Sequence, residues 1–194
     1  MKVFPNKLPV DVCKRICDFA FNQITSADFR KPPVTMWSNF GWPKHIVKDS
    51  TAVFIFVTPK EFLNDIQNCL EQLSIFNAAT DYPFVNERNP DYCSLCLTYV
   101  WTPNSYIPVH SDGKHRKTVT IYCNESWSPE QGGILQWFDS EKNAWDELVP
   151  SRGTVVFNDN DEMHATTPVK TTGEFRISLQ IFVLSPQQSS SVDY

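Results

Sequence analysis

The chain has 194 residues, of which 41% are hydrophobic and 20% are charged, and its formal net charge is −5. This composition predicts one folded domain over 1–194 rather than a disordered chain, because it supplies ample apolar material for a core. The acidic net charge disfavours binding to nucleic acid. The sequence has no apolar run of about 18 residues and no signal-peptide pattern, so we expect a cytoplasmic protein that does not insert into membranes. A monomer or a homodimer is expected.

Residues 1–91 are expected to support the rest of the fold with helices and loops. Apolar residues at helical spacing predict a first helix over 11–24. Prolines and weak periodicity predict a long loop over 26–50. The run Ala-Val-Phe-Ile-Phe-Val then predicts a buried strand over 52–57.

A second helix is predicted over 59–76, because its apolar residues recur three and four positions apart. Thr58 is expected to cap this helix, with Pro59 in the first turn and Glu61 closing a capping box. These residues predict where the helix begins.

Residues 92–185 differ in character, since short apolar segments alternate there with turn residues. Eight strands at this spacing predict an antiparallel sandwich or jelly roll. The expected fold class is therefore mainly β with supporting helices (α+β), and a polar, flexible tail is expected over 186–194. The predicted strands are 94–101, 106–110, 118–123, 133–138, 144–148, 154–158, 163–168 and 175–184.

The cysteines favour buried reduced thiols over a metal site. Cys93 and Cys96 form a CxxC pair, but they fall at the start of a predicted strand, where residues three apart face opposite sides. Cys13 and Cys17 lie four apart on the first predicted helix and are expected to pack as small apolar residues. The sequence has no second CxxC pair that would complete a zinc site.

One arrangement of histidine and aspartate predicts a metal centre. His110 and Asp112 are two residues apart on an extended segment, so both side chains point the same way and can bind one ion. His164 would complete a set of two histidines and one carboxylate, which is the ligand set of non-heme Fe(II) oxygenases. A His-x-Asp pair alone is also compatible with a loop hydrogen bond, and His45 and His115 match no pattern and are expected in surface loops.

An arginine close in sequence to the third ligand predicts an anion site. His164 and Arg176 flank the turn over 169–173, so an antiparallel hairpin would place them opposite each other on one face. Ser178 lies two residues further along and faces the same way as Arg176. A guanidinium inside a β-fold requires an anion, and its planar fork suits a carboxylate. The combination indicates a dicarboxylate co-substrate beside the metal.

The segment over 92–184 resembles the Fe(II)/2-oxoglutarate-dependent oxygenase superfamily and, within it, the prolyl-hydroxylase-like branch. The resemblance rests on the His-x-Asp pair, the distal histidine and Arg176-Ile-Ser178. It rests also on Tyr122-Cys-Asn-Glu-Ser-Trp127 followed by Gly132-Gly-Ile-Leu135, which is similar to the Tyr-x-Asn-x-x-Trp and Gly-Gly-x-Leu pattern of prolyl hydroxylases. The fold that it implies is a double-stranded β-helix, a jelly roll of the cupin-like kind.

The resemblance also implies roles for individual residues. His110, Asp112 and His164 would be the catalytic residues as ligands of Fe(II). Arg176 would bind the distal carboxylate of the co-substrate 2-oxoglutarate, and Tyr122 would donate its hydroxyl to the same carboxylate. Further residues that it implies for the cofactor site are Ser178 and, with a weaker match in spacing, Tyr99 and Tyr106.

The implied activity is hydroxylation of an unactivated C–H bond with O2, while 2-oxoglutarate is converted to succinate and CO2; ascorbate is left open as an accessory reductant. Asp112 favours hydroxylation over halogenation, because halogenating relatives carry alanine or glycine there. Phe182 stands where nucleic-acid demethylases of the superfamily carry a second arginine. The expected substrate is a prolyl residue of a peptide or protein, and a free amino acid or other small metabolite is the alternative. A non-catalytic β-roll that binds a metal or ligand is the alternative of another class.

Three further features each keep two interpretations. The basic run Lys114–Lys117 either attracts an acidic substrate or peptide to the pocket or forms a solvated loop tip. Trp37, Trp42 and Trp101 either line a substrate slot or pack in the core. The acidic run over 159–162 is expected to connect two strands rather than to form a second metal site, with orientation of His164 as the alternative.

Overall fold

Ten β-strands and two α-helices make up the part of the chain that the structure, a computed structural model, describes: residues 1–26, 53–84, 94–112, 117–158, 162–170 and 174–184. In chain order these elements are β1 Lys2–Phe4, α1 Val10–Ser26, β2 Val53–Val57, α2 Lys60–Gln72, β3 Leu95–Trp101, β4 Ile107–His110, β5 Lys117–Tyr122, β6 Leu135–Asp139, β7 Ala144–Leu148, β8 Val155–Asn158, β9 His164–Thr166 and β10 Arg176–Val183.

The strands form two antiparallel sheets, and residues of both sheets line one cavity between them. The larger sheet has the strand order β1-β8-β5-β10-β3-β2, and the smaller has the order β4-β9-β6-β7. This arrangement confirms the expected fold class, mainly β with supporting helices, and its jelly-roll or double-stranded β-helix form.

Alternation along β10 gives the larger sheet two different faces. Ile177, Leu179 and Ile181 are fully buried in the cluster that includes the helices. Arg176 and Gln180 turn to the other face and line the cavity. Because successive strand residues point to opposite sides, one strand contributes both to the core and to the cavity wall.

Each helix buries one apolar stripe against the outer face of the larger sheet. The stripe of α1 includes Ile16 and Ala20, which are both 0% exposed, and the stripe of α2 includes Ile66 and Leu70. The expected support of the β-core by helices on one face is thereby confirmed. None of the described helices combines the length and the apolar character that crossing a membrane requires.

The predicted capping of α2 is wrong. The N-cap is Pro59 and makes no side-chain capping bond, because the hydroxyl of Thr58 lies 3.0 Å from that of Thr98 on β3 instead. The helix also ends at Gln72, earlier than predicted, since the chain turns at Ser74 with a φ of 56°. Tertiary contacts with β3 override the local capping pattern.

β1 is a strand that the hydrophobic pattern does not indicate. It has three residues and pairs with β8, with Lys2 opposite Phe157 and Phe4 opposite Val155. Alternation over three residues is too short to be recognised, so only the pairing partner defines this strand.

The described cysteines are free thiols, as expected. Cys96 lies on β3, where burial raises its thiol pKa to about 12. Cys13 is buried on α1, and Cys17 is partly buried with its thiol 3.3 Å from the carbonyl oxygen of Cys123. Cys93 lies outside the described residues.

Lys117 is not part of a solvated loop tip but the first residue of β5. Its ammonium donates to Oδ2 of Asp81 at 2.7 Å and to the carbonyl of Ile75 at 2.8 Å. Asp81 is only 3% exposed, so this ion pair connects the segment after α2 to the larger sheet. Residues 113–116, which hold the rest of the basic run, lie outside the described ranges.

Lys117→Met is expected to lower the free energy of unfolding by about 3–5 kcal/mol, because it removes the ammonium that pairs with the buried Asp81 carboxylate. Urea denaturation measures this change. The matched control is Lys142→Met, which removes an exposed lysine that pairs with Asp139 and Asp146 at the surface. A control that is as unstable as the Lys117 variant would contradict the role of the buried pair.

Candidate active site

Two neighbouring strands of the smaller sheet bring the predicted metal ligands together. His110 ends β4 and is paired with His164 at the start of β9, and their ring centroids are 4.2 Å apart. Asp112 follows β4 directly, and one ligand atom from each residue lies within 4.8 Å of the others. Among the described residues this is the one group of three or more potential ligands that could hold a metal.

Backbone carbonyls orient the two imidazole rings. Nδ1 of His110 lies 2.8 Å from the carbonyl oxygen of Pro108, and Nδ1 of His164 lies 3.0 Å from that of Glu162. A carbonyl can only accept, so each Nδ1 carries the proton and each Nε2 presents its lone pair. The Nε2 atoms lie 3.7 Å and 3.5 Å from the carboxylate oxygens of Asp112. All three side chains therefore offer lone pairs to one point.

Two buried polar residues hold the carboxylate, and neither was predicted. The hydroxyl of Thr118 on β5 donates to Oδ2 of Asp112 at 2.9 Å, and the amide of Asn158 on β8 donates to the same oxygen at 3.2 Å. Both donors belong to the larger sheet and pair with each other across it. Only the alternation of polar and apolar residues on those strands could have indicated them, and it does not reveal their partner.

Burial keeps both imidazoles neutral. Desolvation lowers the pKa of His110 to about 4, with a smaller contribution from the nearby His164. Desolvation also lowers the pKa of His164, although the charge of Asp112 opposes this shift. Neutral imidazole is the form that binds a metal, so the site is in its binding form at neutral pH.

Arg176 forms an anion site on the facing sheet. It is 1% exposed, and its guanidinium carbon lies 4.5 Å from the ring centre of Trp101 and 4.9 Å from that of Tyr122. Its Nε and Nη1 atoms and the Tyr122 hydroxyl are buried without hydrogen-bond partners. No carboxylate within the described ranges forms an ion pair with this arginine.

These unpartnered donors fit the far carboxylate of a dicarboxylate. A buried cation without a counter-ion is costly, and a carboxylate would satisfy both the guanidinium and the phenol. Burial raises the pKa of Tyr122, although the charge of Arg176 opposes the shift, so the hydroxyl keeps its proton for donation. Burial lowers the pKa of Arg176 from its ordinary value, which a bound anion would offset.

The motif that resembles prolyl hydroxylases holds Arg176 in place. The side chain of Asn124 accepts from the backbone N–H of Ile177 at 2.6 Å and donates to the carbonyl of Phe175 at 2.8 Å, so it brackets the arginine. Gly133 has a φ of 61°, and a Cβ there would lie 2.7 Å from Cδ of Arg176. The motif therefore positions Arg176, which its sequence alone does not reveal.

Of the other predicted site residues, some face the cavity and one does not. Ser178 accepts a hydrogen bond from the indole N–H of Trp101 at 3.0 Å, so both face the cavity side. Tyr99 lines the cavity and burial raises its pKa, whereas Tyr106 is absent from the cavity wall. Trp101 is buried and also lines the cavity, so core packing and a place in the pocket wall both apply to it.

The predicted hairpin between His164 and Arg176 is wrong. His164 pairs with His110 and Trp137 in the smaller sheet, whereas Arg176 pairs with Trp101 in the larger one. The connection between β9 and β10 crosses from one sheet to the other rather than folding back within one. Both side chains still face the same cavity, because the two sheets enclose it.

Several predicted residues lie outside the described ranges. Of the acidic run only Glu162 is described, and its carbonyl, rather than its carboxylate, orients His164. The roles suggested for the remaining residues stay predictions: Trp37, Trp42, His45, His115 and the tail over 186–194.

The cavity between the sheets opens to solvent, and the cavity and its mouth together hold about 470 Å³ not occupied by protein atoms. The three potential metal ligands and Arg176 all line it. Apolar side chains complete its wall, chiefly Ile107, Leu135 and Phe182.

The chain is similar to a known oxygenase superfamily in sequence. Residues 95–184 match the profile described as the 2OG-Fe(II) oxygenase superfamily. Among curated proteins, none matches the chain. The matched segment holds all the residues that form the two halves of the site.

Solved structures of prolyl hydroxylases share the fold. The chain is similar to a prolyl-4-hydroxylase of Pseudomonas putida, with 17% identity, a TM-score of 0.66 and coverage of 95% of this chain and 91% of that one. A Trichoplax adhaerens prolyl hydroxylase, solved with a peptide fragment of the hypoxia inducible factor oxygen degradation domain, has 13% identity, a TM-score of 0.66 and coverage of 100% and 87%. A viral collagen prolyl hydroxylase from Paramecium Bursaria Chlorella virus-1, solved with 2OG, has 15% identity, a TM-score of 0.59 and coverage of 94% of both chains.

Thr118→Val is expected to weaken the binding of a divalent metal roughly 10-fold, because Asp112 loses one of the two donors that orient it. Titration with Mn(II) measures the affinity. Thr98→Val is the matched control, since it removes an equally buried hydroxyl from the opposite face of the larger sheet. An equal loss of metal affinity in both variants would mean that Thr118 acts through general stability.

The metal-free protein is expected to lose stability as the pH falls from about 6.5 towards 4. In this range His110 gains a proton in the unfolded chain but not in the folded one, since its folded pKa is about 4. Urea denaturation across the range measures the loss. His110→Gln removes this titrating group, so its stability should depend less on pH, and an unchanged slope would refute the assignment.

Proposed function

We propose that this chain, whose residues 95–184 match the 2OG-Fe(II) oxygenase superfamily, is an Fe(II)- and 2-oxoglutarate-dependent dioxygenase that hydroxylates a prolyl residue of a peptide or protein. The observation that carries the proposal is the cavity that joins three metal-ligating side chains to a buried, unpaired arginine. Neither half alone would indicate this reaction.

In this proposal His110, Asp112 and His164 bind Fe(II) through one atom each. The backbone carbonyls behind the imidazoles hold both Nε2 lone pairs towards the ion, and Thr118 and Asn158 keep the carboxylate in place. When bound, Fe(II) and 2-oxoglutarate supply the oxidising chemistry, in which O2 is consumed, the co-substrate becomes succinate and CO2, and the substrate gains a hydroxyl group.

Arg176 and Tyr122 bind the far carboxylate of 2-oxoglutarate. The guanidinium supplies charge and the phenol supplies a neutral donor, and both are shielded from water. Stacking between two aromatic rings limits the movement of the guanidinium, so its position is fixed before the anion arrives. Tyr99 and Ser178 would contribute further polar groups to this end of the cavity.

The apolar part of the cavity supports an aliphatic substrate group. Ile107, Leu135 and Phe182 are each at most 9% exposed and carry no group that could bind a charge. A pyrrolidine ring is compact and apolar, and so suits such a wall. The shared fold of three prolyl hydroxylases supports the same substrate class.

The substrate is tested by mass spectrometry with Fe(II), 2-oxoglutarate, O2 and ascorbate, the accessory reductant that the resemblance leaves open. A panel of prolyl peptides is compared with the same peptides carrying alanine for proline, and with free L-proline. We expect a gain of one oxygen atom on proline-containing peptides and matching release of succinate. Hydroxylation of free L-proline but of no peptide would refute the peptide substrate and leave the dioxygenase activity intact.

Arg176→Met is expected to weaken 2-oxoglutarate binding at least about 100-fold, because the far carboxylate loses its buried cation. Mn(II) affinity should remain unchanged, since the arginine lies on the other sheet from the metal ligands. Calorimetry on the Mn(II)-loaded protein measures both. Arg152→Met is the control, because it removes an arginine that pairs with Glu125 away from the cavity. Equal loss of metal and 2-oxoglutarate binding in the Arg176 variant would contradict its assigned role.

A further inference from the structure

Gln180 is a polar residue in the middle of a strand that is otherwise buried. It is the one residue of β10 that is only partly buried, and its neighbour Thr120 is likewise partly exposed on β5. Both side chains line the cavity. Their exposure therefore comes from the space between the sheets rather than from the outer surface.

The side-chain amide of Gln180 has a fixed orientation. The hydroxyl of Thr120, its partner across the two strands, donates to Oε1 of Gln180 at 2.8 Å. The acceptor end of the amide is thereby occupied, and the two N–H donors on Nε2 are directed elsewhere. No described residue accepts a hydrogen bond from Nε2. The cavity thus contains a neutral donor group that has no partner in the described part of the chain.

The strand register places this donor between the two halves of the site. Gln180 pairs with Thr120, and the next row on the same face pairs Phe182 with Thr118, which holds Asp112. The row on the other side pairs Ser178 with Tyr122. Adjacent rows on one face are separated by about 7 Å. A ligand that extends from Arg176 and Tyr122 to an ion at Asp112 must therefore pass the row of Gln180.

From this position we infer that Gln180 donates a hydrogen bond from Nε2 to the oxo-acid end of 2-oxoglutarate and so contributes to co-substrate selection. The inference rests on the proposed roles of Arg176 and the metal ligands. Carboxylate and carbonyl oxygens are acceptors only, and Nε2 offers donors only, so the two are complementary. Thr120 is the positioning residue, because its hydroxyl prevents the amide from rotating.

Two substitutions at Gln180 separate this role from simple packing. Gln180→Glu keeps the size and the acceptor for Thr120 but replaces the donor with a negative oxygen. Gln180→Met removes the donor and the acceptor without adding charge. A packing role makes the near-isosteric glutamate the milder change, whereas hydrogen bonding to an anion makes it the more severe one.

The test is calorimetric binding of 2-oxoglutarate to the full-length, Mn(II)-loaded protein. We expect roughly 10-fold weaker binding for Gln180→Met and roughly 100-fold weaker binding for Gln180→Glu. Mn(II) affinity should not fall in either variant. Thr120→Val alone should weaken 2-oxoglutarate binding about threefold. Added to Gln180→Met it should cause no further loss, because that variant already lacks the amide that Thr120 orients.

Gln136→Glu is the matched control. Gln136 lies on β6 between the buried Leu135 and Trp137, so it faces away from the cavity, and the same added charge there should leave 2-oxoglutarate binding within about twofold. Binding by Gln180→Glu that is as tight as wild type, or tighter than that of Gln180→Met, overturns the inference. If the wild-type protein does not bind 2-oxoglutarate, the proposed co-substrate site itself fails, which is a distinct result.

Discussion

The buried guanidinium of Arg176 is the constraint on which the rest of the site depends. Removing a charge from water costs several kcal/mol unless a partner compensates, and here the described part of the chain supplies aromatic rings and no carboxylate. Asn124 brackets the backbone on both sides of the arginine, and Gly133 leaves room for its side chain. These residues hold a cation ready for an anion that comes from outside.

The two sheets divide the chemistry between them. The smaller sheet and the residue that follows β4 provide the three metal-ligating side chains, and the larger sheet provides the anion site. The proposed dicarboxylate co-substrate would contact both sheets at once, with one charged end at the metal ligands and the other at Arg176. In the proposed function, selectivity for a dicarboxylate therefore depends on both sheets together.

The larger sheet also stabilises the metal site of the smaller one. Thr118 and Asn158 of the larger sheet donate directly to Asp112, so the carboxylate that follows β4 is oriented by hydroxyl and amide groups of the other sheet. On the outer face of the same strands, Val119 and Phe157 pack with the helices. The helices thus support the site indirectly, because the strands that they bury are the strands that hold the carboxylate.

The sequence by itself determined the fold class and most strand positions, and it predicted the residues of the two half-sites. These features depend on local spacing, since residues two apart on a strand share a face and apolar alternation marks the strands. His110, Asp112, His164 and Arg176 were recognisable at that level, whereas Tyr122 was indicated only by the resemblance to prolyl hydroxylases. The motif with Asn124 and Gly133 was recognisable too, but its purpose was not, because it acts on a strand about fifty residues away.

Only the tertiary structure decided which strand pairs with which. Local pattern suggested a hairpin between His164 and Arg176, and the chain instead crosses between sheets, so that His164 pairs with His110. The capping pattern at Thr58 failed for a similar reason, since its hydroxyl is near Thr98. Hydrogen-bond partners across strands depend on register, which packing of the whole core sets and which no short stretch of sequence contains.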